Sequence, residues 1–370
     1  MNVPRKAFAA LLVLLVTFAS ISVYYYSLTQ QAESSRTRDL NPVEIYAKSS
    51  RSVVTIQGVQ IYTDTIYGRS GSIVIGSGFV IENSNSFYIV TNYHVVDRLI
   101  NMTVTFWDGD AYEGEVIGFD AYSDLAIVSA SAPADEFYPL QFAASSSLKV
   151  GEAVVAIGNP YGFSGSITVG IVSQLGRTIE SQSNVGNFPI ADVVQFSAAI
   201  NPGNSGGPLL NAAGMIVGMT TALIRGSQGI GFAIPSDTIT RELPHLIKTG
   251  GYDKHPFFGV QLVDMNYQLS RIIVSNLTYG LLIQRILPDS PASKAGLKGG
   301  TQVIDLDGQK YMIGGDIIVS VDGNRIVNYD AFSTYLERYT QPGQKIQVGI
   351  VRAGNSMVVE VVLEARPSQL

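Results

Sequence analysis

Short runs of β-branched and aromatic residues, separated by Gly, Asn, Asp and Ser, occupy the chain from Ser52 to about Thr220. Runs of this length and spacing are typical of strands rather than helices. They predict an all-β barrel or sandwich. The clearest predicted strands are residues 53–56, 87–91, 102–106, 153–157, 193–196 and 215–220.

The pattern changes after residue 235. Ser236 is placed to cap the N-terminus of a helix, Gly250 is placed to end it, and Pro244 inside it predicts a kink. A mixed α+β segment follows, and the length of 370 residues also favours two folded domains. We place the boundary at residues 251–254. The second domain is expected to contain a helix at 329–339 and strands at 316–321, 345–351 and 357–363.

The N-terminus carries a hydrophobic segment. Arg5 and Lys6 precede an apolar run at residues 7–26, and roughly 20 such residues span a bilayer. We expect a transmembrane anchor within residues 1–29, followed by a polar tether at 30–44. The alternative is a cleaved signal peptide, since small residues occur around Ala19. Both interpretations place the rest of the chain outside the cytoplasm.

The composition excludes several functions. The chain has no cysteine, so it has no thiol nucleophile, disulfide or thiolate metal site. Its net charge is −6, and no basic cluster interleaved with aromatic residues indicates nucleic-acid binding. No glycine-rich phosphate-binding loop with its lysine indicates coupling to ATP. We therefore expect neither a cofactor nor a metal ion.

Ser205 is the candidate nucleophile. It lies in the octapeptide Asn-Pro-Gly-Asn-Ser-Gly-Gly-Pro at residues 201–208, and a glycine-rich turn can direct several N–H groups at one point. The same octapeptide is also compatible with an ordinary tight turn. A serine nucleophile further requires a base and a group that orients the base.

Two earlier residues supply the missing roles. His94 follows a hydrophobic strand and Asp124 precedes an apolar run, whereas His245 and His255 lie at the domain boundary, poorly placed for a barrel site. Taken singly, a histidine such as His94 is more often a structural residue. An aspartate in the position of Asp124 is usually a turn residue. The order His94, Asp124, Ser205 within an all-β region is that of a chymotrypsin-type double barrel.

Residues about 45–365 resemble the HtrA/Deg family, in which a trypsin-like protease domain precedes a PDZ domain. The resemblance implies that His94 is the general base, Asp124 orients it and Ser205 attacks the scissile carbonyl. It also implies an oxyanion hole at Gly203 and Ser205, with Asn204 between them. The matching segments are residues 76–80, 91–96, 123–128, 157–160, 168–173, 198–208 and 231–235.

The primary substrate pocket is expected to be apolar, because residues 197–200 before the nucleophile carry no charge. The resemblance implies a small pocket that favours Val or Ala. It also implies that the loops at 180–189 and 223–228 correspond to loops that switch between disordered and active forms in relatives. Many family members have Asn where Tyr93 stands and an acidic residue where Ser197 stands. The expected pocket residues are Ile200, Thr220, Thr221 and Ala222.

The second domain carries a segment similar to the carboxylate-binding loop of PDZ domains, which binds peptide C-termini through backbone N–H groups and strand addition. Residues 289–297 and 314–323 also match this type of PDZ domain, and 300–313 is an insertion. Phe332 and Leu336 are either groove contacts or core residues. The expected binding residues are Phe257, Phe258, Gly259 and Val260.

These features predict a mostly β chain, with a chymotrypsin-type double β-barrel at 45–250 and a small α+β PDZ domain at 251–366. The expected function is ATP-independent serine endopeptidase activity in extracytoplasmic protein quality control, cleaving unfolded or misfolded proteins after small apolar residues. Two alternatives are a membrane-tethered, chaperone-like peptide-binding module that no longer cleaves, and a regulatory protease that cuts one membrane partner. The resemblance also implies a homo-oligomer, a trimer.

Overall fold

The structure is a computed structural model that describes residues 41–64, 68–159, 165–183, 186–201, 203–221, 229–273 and 276–367. The predicted anchor and most of the tether, as well as Ala222 and the loop at 223–228, lie outside these residues. None of the helices in the described ranges combines the length and hydrophobicity that a bilayer span requires. Residues Pro42–Leu370 form one compact unit.

Six antiparallel strands close a first barrel in the order β1-β2-β3-β6-β5-β4. A short helix, α1 (Pro42–Ser49), precedes it, and a single helical turn, α2 (Tyr93–Val96), follows β3. The barrel interior is filled by fully buried apolar side chains, among them Ile56, Ile89 and Val128. The strands are β1 (Val53–Asp64), β2 (Gly68–Asn83), β3 (Ser86–Thr91), β4 (Leu99–Thr105), β5 (Ala111–Asp120) and β6 (Leu125–Ala130).

A second six-stranded barrel closes in the order β10-β11-β12-β9-β8-β7. Its core includes Val154, Phe196 and Leu209. The mostly β double-barrel prediction is confirmed. Each predicted strand overlaps an observed strand, although β1 ends eight residues later and β9 begins seven residues earlier than predicted. The strands are β7 (Ala153–Gly158), β8 (Ser166–Ser183), β9 (Gly186–Phe196), β10 (Pro208–Leu210), β11 (Ile216–Thr221) and β12 (Gly231–Pro235).

The helix α3 (Ser236–Thr249) connects the second barrel to the C-terminal domain. The prediction that Ser236 caps this helix is wrong: the N-cap is Pro235, and the Ser236 hydroxyl donates to the carbonyl of Ala143 at 2.6 Å. Gly250 ends the helix with φ +78°, a left-handed conformation that favours glycine. The assigned helix continues through Pro244.

The C-terminal domain is a sheet of order β14-β15-β18-β20-β21, flanked by helices. The helix predicted at 329–339 is observed as α6 (Tyr329–Tyr339), and the insertion at 300–313 forms the hairpin β16–β17. The remaining elements are β13 (Pro256–Phe257), β14 (Val260–Asp264), α4 (Tyr267–Ile272), β15 (Leu281–Ile286), α5 (Pro291–Lys294), β16 (Gln302–Leu306), β17 (Gln309–Ile313), β18 (Ile317–Val321), β19 (Asn324–Arg325), β20 (Lys345–Arg352), β21 (Asn355–Val362) and β22 (Glu364–Ala365).

Helix α6 also contacts the second barrel, on strands β8 and β9. Asp330, in its first turn, accepts from the Arg177 guanidinium at 2.9 Å and from the backbone N–H of Thr178 at 2.8 Å. Arg338, in its last turn, pairs with Asp192 at 2.5 Å. The helix is therefore bonded to the barrel near both of its ends.

Candidate active site

His94 lies at the edge of the first barrel, where β3 gives way to the single turn α2. Its Nδ1 is 2.8 Å from Oδ2 of Asp124 and 3.0 Å from Oδ1, and its backbone N–H donates to Oδ1 at 3.0 Å. Because ring and backbone of His94 bond to one carboxylate, the imidazole has a defined orientation. That orientation favours a proton on Nδ1 and leaves Nε2 as the basic nitrogen.

Asp124 is held in a strained, buried position. It is 2% exposed and has φ +52°, a left-handed conformation uncommon for a residue with a side chain. Tyr93 and Asn92 both donate to its carbonyl, at 3.1 Å each. The Thr221 hydroxyl donates to its Oδ2 at 3.1 Å. These bonds over-determine the position of the carboxylate, as is typical of strained functional residues.

Tyr93 is the residue that departs from the pattern of many relatives. Its hydroxyl donates to Oδ1 of Asp97 at 2.9 Å, and its ring stacks on Phe119 with centroids 4.7 Å apart. Burial and the neighbouring Asp97 raise the pKa of Tyr93. The phenol therefore stays protonated and anchors α2, next to His94.

Ser205 follows a tight turn that contains Gly203. The N–H of Asn204 donates to the carbonyl of Asn201 at 3.0 Å, and Gly203, the third residue of the turn, has φ +97°. A positive φ favours glycine at this position. The N–H of Asn204, which the sequence places between the two predicted oxyanion-hole donors, is therefore already bonded within the turn.

Ser77 of the first barrel ties this turn to the His94–Asp124 side of the molecule. Its hydroxyl donates to the carbonyl of Gly203 at 2.6 Å, and its backbone N–H donates to the carbonyl of Ser205 at 2.8 Å. Ser77 was not predicted as a site residue, although it lies in one of the segments that carry the resemblance. Its bonds fix the nucleophile turn of one barrel against the other.

The glycines after Ser205 are required by close packing. A Cβ atom at Gly206 would lie 2.1 Å from the carbonyl oxygen of Ser77, and one at Gly207 would lie 2.1 Å from that of Ile157. Both distances are far below a van der Waals contact. The glycine-rich signature therefore reflects the approach of the turn to the backbone of both barrels.

The predicted pocket residues have different roles in the structure. Thr220 is fully buried, and its hydroxyl donates to the carbonyls of Asn204 and Gly207 at 2.7 and 3.1 Å. Thr221 uses its hydroxyl on Asp124, as described above. Ile200 packs against the core of the second barrel. The two threonine hydroxyls thus position the nucleophile turn and the aspartate.

In the C-terminal domain, the segment at 257–260 precedes the edge strand β14. Phe258 is buried, with its ring centroid 5.2 Å from that of Phe332. Gly259 has φ +83°, and a Cβ there would lie 2.2 Å from Cβ of Ser290. Phe332 and Leu336 both belong to the domain core, which confirms the core interpretation of these two residues.

A second histidine, His255, lies between the barrels and the C-terminal domain. Its Nε2 is 2.7 Å from Oδ2 of Asp120, and its Nδ1 is 3.2 Å from Oε2 of Glu337 in α6. It is 4% exposed. The sequence indicated that His255 is not part of the barrel site; the structure shows that it instead bridges two domains.

Comparisons with known proteins agree with this architecture. The trypsin-like peptidase domain family matches residues 76–219, and the PDZ domain family matches residues 256–363. The chain is 32% identical to Protease Do-like 1, chloroplastic, of Arabidopsis thaliana, over 96% of this chain and 81% of that protein. It is 35% identical to a probable periplasmic serine endoprotease DegP-like of Chlamydia trachomatis, over 80% of this chain but only 55% of that protein.

Among solved structures, an HtrA-type protease AlgW with tripeptide is 26% identical, with a TM-score of 0.66, over 88% of this chain and 98% of that one. Two closed barrels, a histidine–aspartate pair and a glycine-rich serine turn define a trypsin-like serine endopeptidase. The chain belongs to the HtrA/Deg family of such enzymes and carries one PDZ domain.

Proposed function

We propose that this chain is an ATP-independent serine endopeptidase of extracytoplasmic protein quality control, in which His94, Asp124 and Ser205 form the catalytic triad. The observation that carries the proposal is the His94–Asp124 pair, bonded through ring and backbone. The Ser205 turn is tied to the same barrel by Ser77. The alternative of a non-cleaving chaperone-like module is disfavoured, because it would not require this geometry.

The proposed proton transfers follow from the orientation of the His94 imidazole. Nε2 of His94 accepts the hydroxyl proton of Ser205 as the serine oxygen attacks the scissile carbonyl. Asp124 stabilises the imidazolium that forms and remains ionised. His94 then gives the proton to the leaving amine. In the second half of the reaction His94 takes a proton from water, which attacks the acyl-enzyme and releases Ser205. The N–H groups of Gly203 and Ser205 stabilise the oxyanion, each contributing about 3 kcal/mol.

Substrate choice follows from the uncharged surroundings of the nucleophile. Residues 197–200 offer no carboxylate to an Arg or Lys side chain. We infer cleavage after small apolar residues such as Val or Ala, with Ile200 and Ala222 shaping the pocket. Unfolded or misfolded proteins expose such residues, and they are the proposed substrates.

The PDZ domain is proposed to bind peptide C-termini through Phe257, Phe258, Gly259 and Val260, with β14 as the strand that the peptide extends. The edge position of β14 supports this. The bonds between α6 and the second barrel support regulation of the protease by the PDZ domain. They also keep open the alternative of a regulatory protease that cuts one membrane partner.

Location and assembly are inferred from the sequence and the relatives. A relative named as periplasmic supports an extracytoplasmic enzyme. We infer an anchor at residues 1–29, a tether at 30–44, a protease domain at 45–250 and a PDZ domain at 251–366. A homotrimer is the assembly that the family resemblance implies.

Labelling with a fluorophosphonate probe tests the proposal. The wild-type chain should be labelled at Ser205 and should degrade unfolded casein, whereas Ser205→Ala should do neither while keeping the same circular dichroism spectrum. A folded wild-type chain that is not labelled would refute the protease function. Cleavage-site mapping on casein tests the pocket, since frequent cleavage after Arg or Lys would contradict it.

A further inference from the structure

Three carboxylates meet at the hairpin that joins β4 to β5 in the first barrel. Asp108 and Asp110 lie in the hairpin, and Glu136 lies in the 3₁₀ turn Ala134–Glu136 that follows β6. One carboxylate oxygen from each residue lies within 4.8 Å of the other two. Asp108 and Asp110 are exposed, whereas Glu136 is only 8% exposed. The cluster therefore has one buried and two solvent-facing members.

The charges of this cluster are not balanced by the protein. Within the described parts of the chain, none of the three carboxylates forms an ion pair. The Asp108 carboxylate accepts from the N–H of Asp110 at 3.0 Å, and Oε1 of Glu136 accepts from the Tyr112 hydroxyl at 3.3 Å. The second oxygen of Glu136, Oε2, is buried without a hydrogen-bond partner. Burial of an anionic oxygen without a partner is costly, and like charges at this separation repel.

A second cluster, between the barrels and the C-terminal domain, has its negative charges balanced within the protein. Asp120, Glu242 and His255 also lie within 4.8 Å of one another, and all three are buried. That cluster contains its own cations, because His255 lies between two carboxylates and Arg241 contacts Glu242 at 3.1 Å. Of these two clusters among the described residues, the one at the β4–β5 hairpin lacks a cation supplied by the protein.

Aromatic contacts hold the two segments of the hairpin cluster together. Phe106 packs edge-on against Phe137, with centroids 5.2 Å apart, and Trp107 packs edge-on against Tyr138 at 6.3 Å. The two residues before Asp108 are thus paired with the two residues after Glu136. The carboxylates are therefore positioned by packing before any ion binds, which lowers the ordering cost of binding.

We propose that Asp108, Asp110 and Glu136 bind a calcium ion. The donor set consists of oxygen atoms without histidine or cysteine, which suits a hard cation rather than zinc. Calcium takes ligands at about 2.3–2.6 Å, so two of its ligands can lie up to roughly 5 Å apart, in agreement with the spread of the cluster. Water completes the coordination on the exposed side, and the flexible geometry of calcium tolerates one buried and two exposed ligands better than the octahedron of magnesium.

Such an ion would stabilise the barrel that carries His94 and Asp124. Strand β5 begins directly after Asp110 and ends at Asp120, at the turn that holds Asp124. Strand β6 connects that turn to the segment of Glu136. Bound calcium would link the start of β5 to the segment that follows β6, and we expect an effect on stability rather than on the chemical step.

Terbium luminescence gives a direct test on the full chain. Terbium(III) substitutes for calcium and emits when it receives energy from a nearby tryptophan, and Trp107 is the only tryptophan of the chain. Excitation of Trp107 should give terbium emission that calcium competes away, with half-competition at about 0.1–1 mM calcium, the range of extracellular calcium modules. Magnesium should compete at least about tenfold less well.

Matched variants distinguish binding at this site from nonspecific attraction of the cation to negative surface charge. Glu136→Gln and Asp108→Asn should each abolish the emission, whereas Asp135→Asn, which removes the neighbouring exposed charge outside the cluster, should keep it. Trp107→Phe should abolish emission but retain calcium binding measured by equilibrium dialysis. Absence of emission from the wild-type chain, or equal loss in Asp135→Asn, would overturn the proposal.

Thermal denaturation gives an independent readout. Calcium at about ten times its Kd should raise the Tm of the wild-type chain by about 3 °C or more. In chelator, Glu136→Gln should be at least as stable as the wild-type chain, because it relieves the repulsion. With calcium the order should reverse. A Tm that calcium does not change, or that it changes equally in both proteins, would refute the site.

Discussion

Two histidine–aspartate pairs flank one turn of this molecule and have different roles. Nδ1 of His94 is 2.8 Å from Asp124, and Nε2 of His255 is 2.7 Å from Asp120. The side chain of His94 is 24% exposed, whereas that of His255 is 4% exposed and bonded through both nitrogens, the second to Glu337. The same pair of residue types therefore serves as a candidate catalytic base at the more exposed site and as a cation at the buried site, where a second carboxylate bonds the other nitrogen of His255.

The electrostatics of the buried pair follow from its surroundings. Burial alone would lower the pKa of His255, but the charges and hydrogen bonds of Asp120 and Glu337 outweigh it and raise the pKa well above its ordinary value. Burial would raise the pKa of Asp120, and the charge of His255 reverses this and lowers it. For Glu242, burial and the charge of Asp120 raise the pKa to about 8.

The two pairs are connected by the turn that joins β5 to β6. Asp120 accepts from the backbone N–H groups of Tyr122 and Ser123, at 3.1 and 2.9 Å, and so shapes the turn that ends at Asp124. The carboxylate that contacts His255 therefore also holds the backbone of the predicted catalytic aspartate. A route of direct contacts runs from α6 through His255 and Asp120 to the turn that ends at Asp124.

Replacement of Asp124 should have the largest effect. Asp124→Asn should lower kcat by about 10⁴-fold, because the asparagine amide favours the wrong tautomer of His94. Asp120→Asn, the matched change in the buried pair, should lower kcat by less than about tenfold. Steady-state kinetics on a chromogenic peptide measures both, and the comparison fails if the two variants lose kcat equally.

Replacement of His255 should mainly affect stability. His255→Ala leaves the buried Asp120 without its cation and leaves Glu337 paired only with Arg241, which should cost about 3–5 kcal/mol of the free energy of unfolding. His245→Ala is the control, because the contact shown for the His245 side chain in the described structure is one with the ring of Tyr252. Urea denaturation and hydrogen exchange of α6 provide the measurements. Equal losses in both variants would show that His255 has no special role.

Loss of the Thr221 hydroxyl should have an intermediate effect on catalysis. Thr221→Val removes a hydrogen bond to the Asp124 carboxylate, and we expect kcat to fall about tenfold, or about 1.4 kcal/mol, with KM little changed. Thr103→Val, at an exposed threonine of β4 in the first barrel, should leave kcat unchanged. A change in KM alone would instead assign Thr221 to the substrate pocket, as the sequence predicted.

The smallest of these effects should be the change in the free energy of unfolding with pH. His255 has a raised pKa, so its contribution is complete below about pH 6.5 and is lost as the pH rises through the raised value. Glu242, with a pKa of about 8, keeps its proton in the folded state, so stability falls as the pH rises from about 4.5 to about 8. Each proton contributes at most about 1.4 kcal/mol per pH unit.

Glu242→Gln tests this assignment. The variant should flatten the dependence of the free energy of unfolding between about pH 5 and about pH 8, because it removes the titrating group. The lowered pKa values of Asp120 and Glu337 act in the opposite sense, since their contribution is present above their ordinary values and is lost in acid. Identical slopes in the variant and the wild-type chain would exclude Glu242 as the source.

Local signals allowed much of the fold to be predicted. Helix α6 was predicted at its observed bounds because its start and stop are local: the Asn328 side chain accepts from the N–H of Ala331, and Pro342 and Gly343 follow its end. The Ser236 cap prediction failed because a distant carbonyl, that of Ala143, takes the hydroxyl. Local rules cannot show such a competitor.

The sequence predicted the candidate catalytic residues but not the residues that hold them in place. Sequence order and the glycine-rich turn indicated His94, Asp124 and Ser205, since each lies in a distinctive local pattern. Ser77 and the roles of Thr220 and Thr221 were missed. Their partners lie many residues away, and only closure of the barrels brings them together.

The sequence by itself determined the strands, the domain order and the residues that carry the proposed chemistry, because periodicity and turn residues act over a few positions. Tertiary structure decided which histidine stays partly exposed and which becomes a buried cation. The carboxylates of Asp120 and Glu337 raise the pKa of the buried His255, and they reach it only through contacts between segments far apart in the chain.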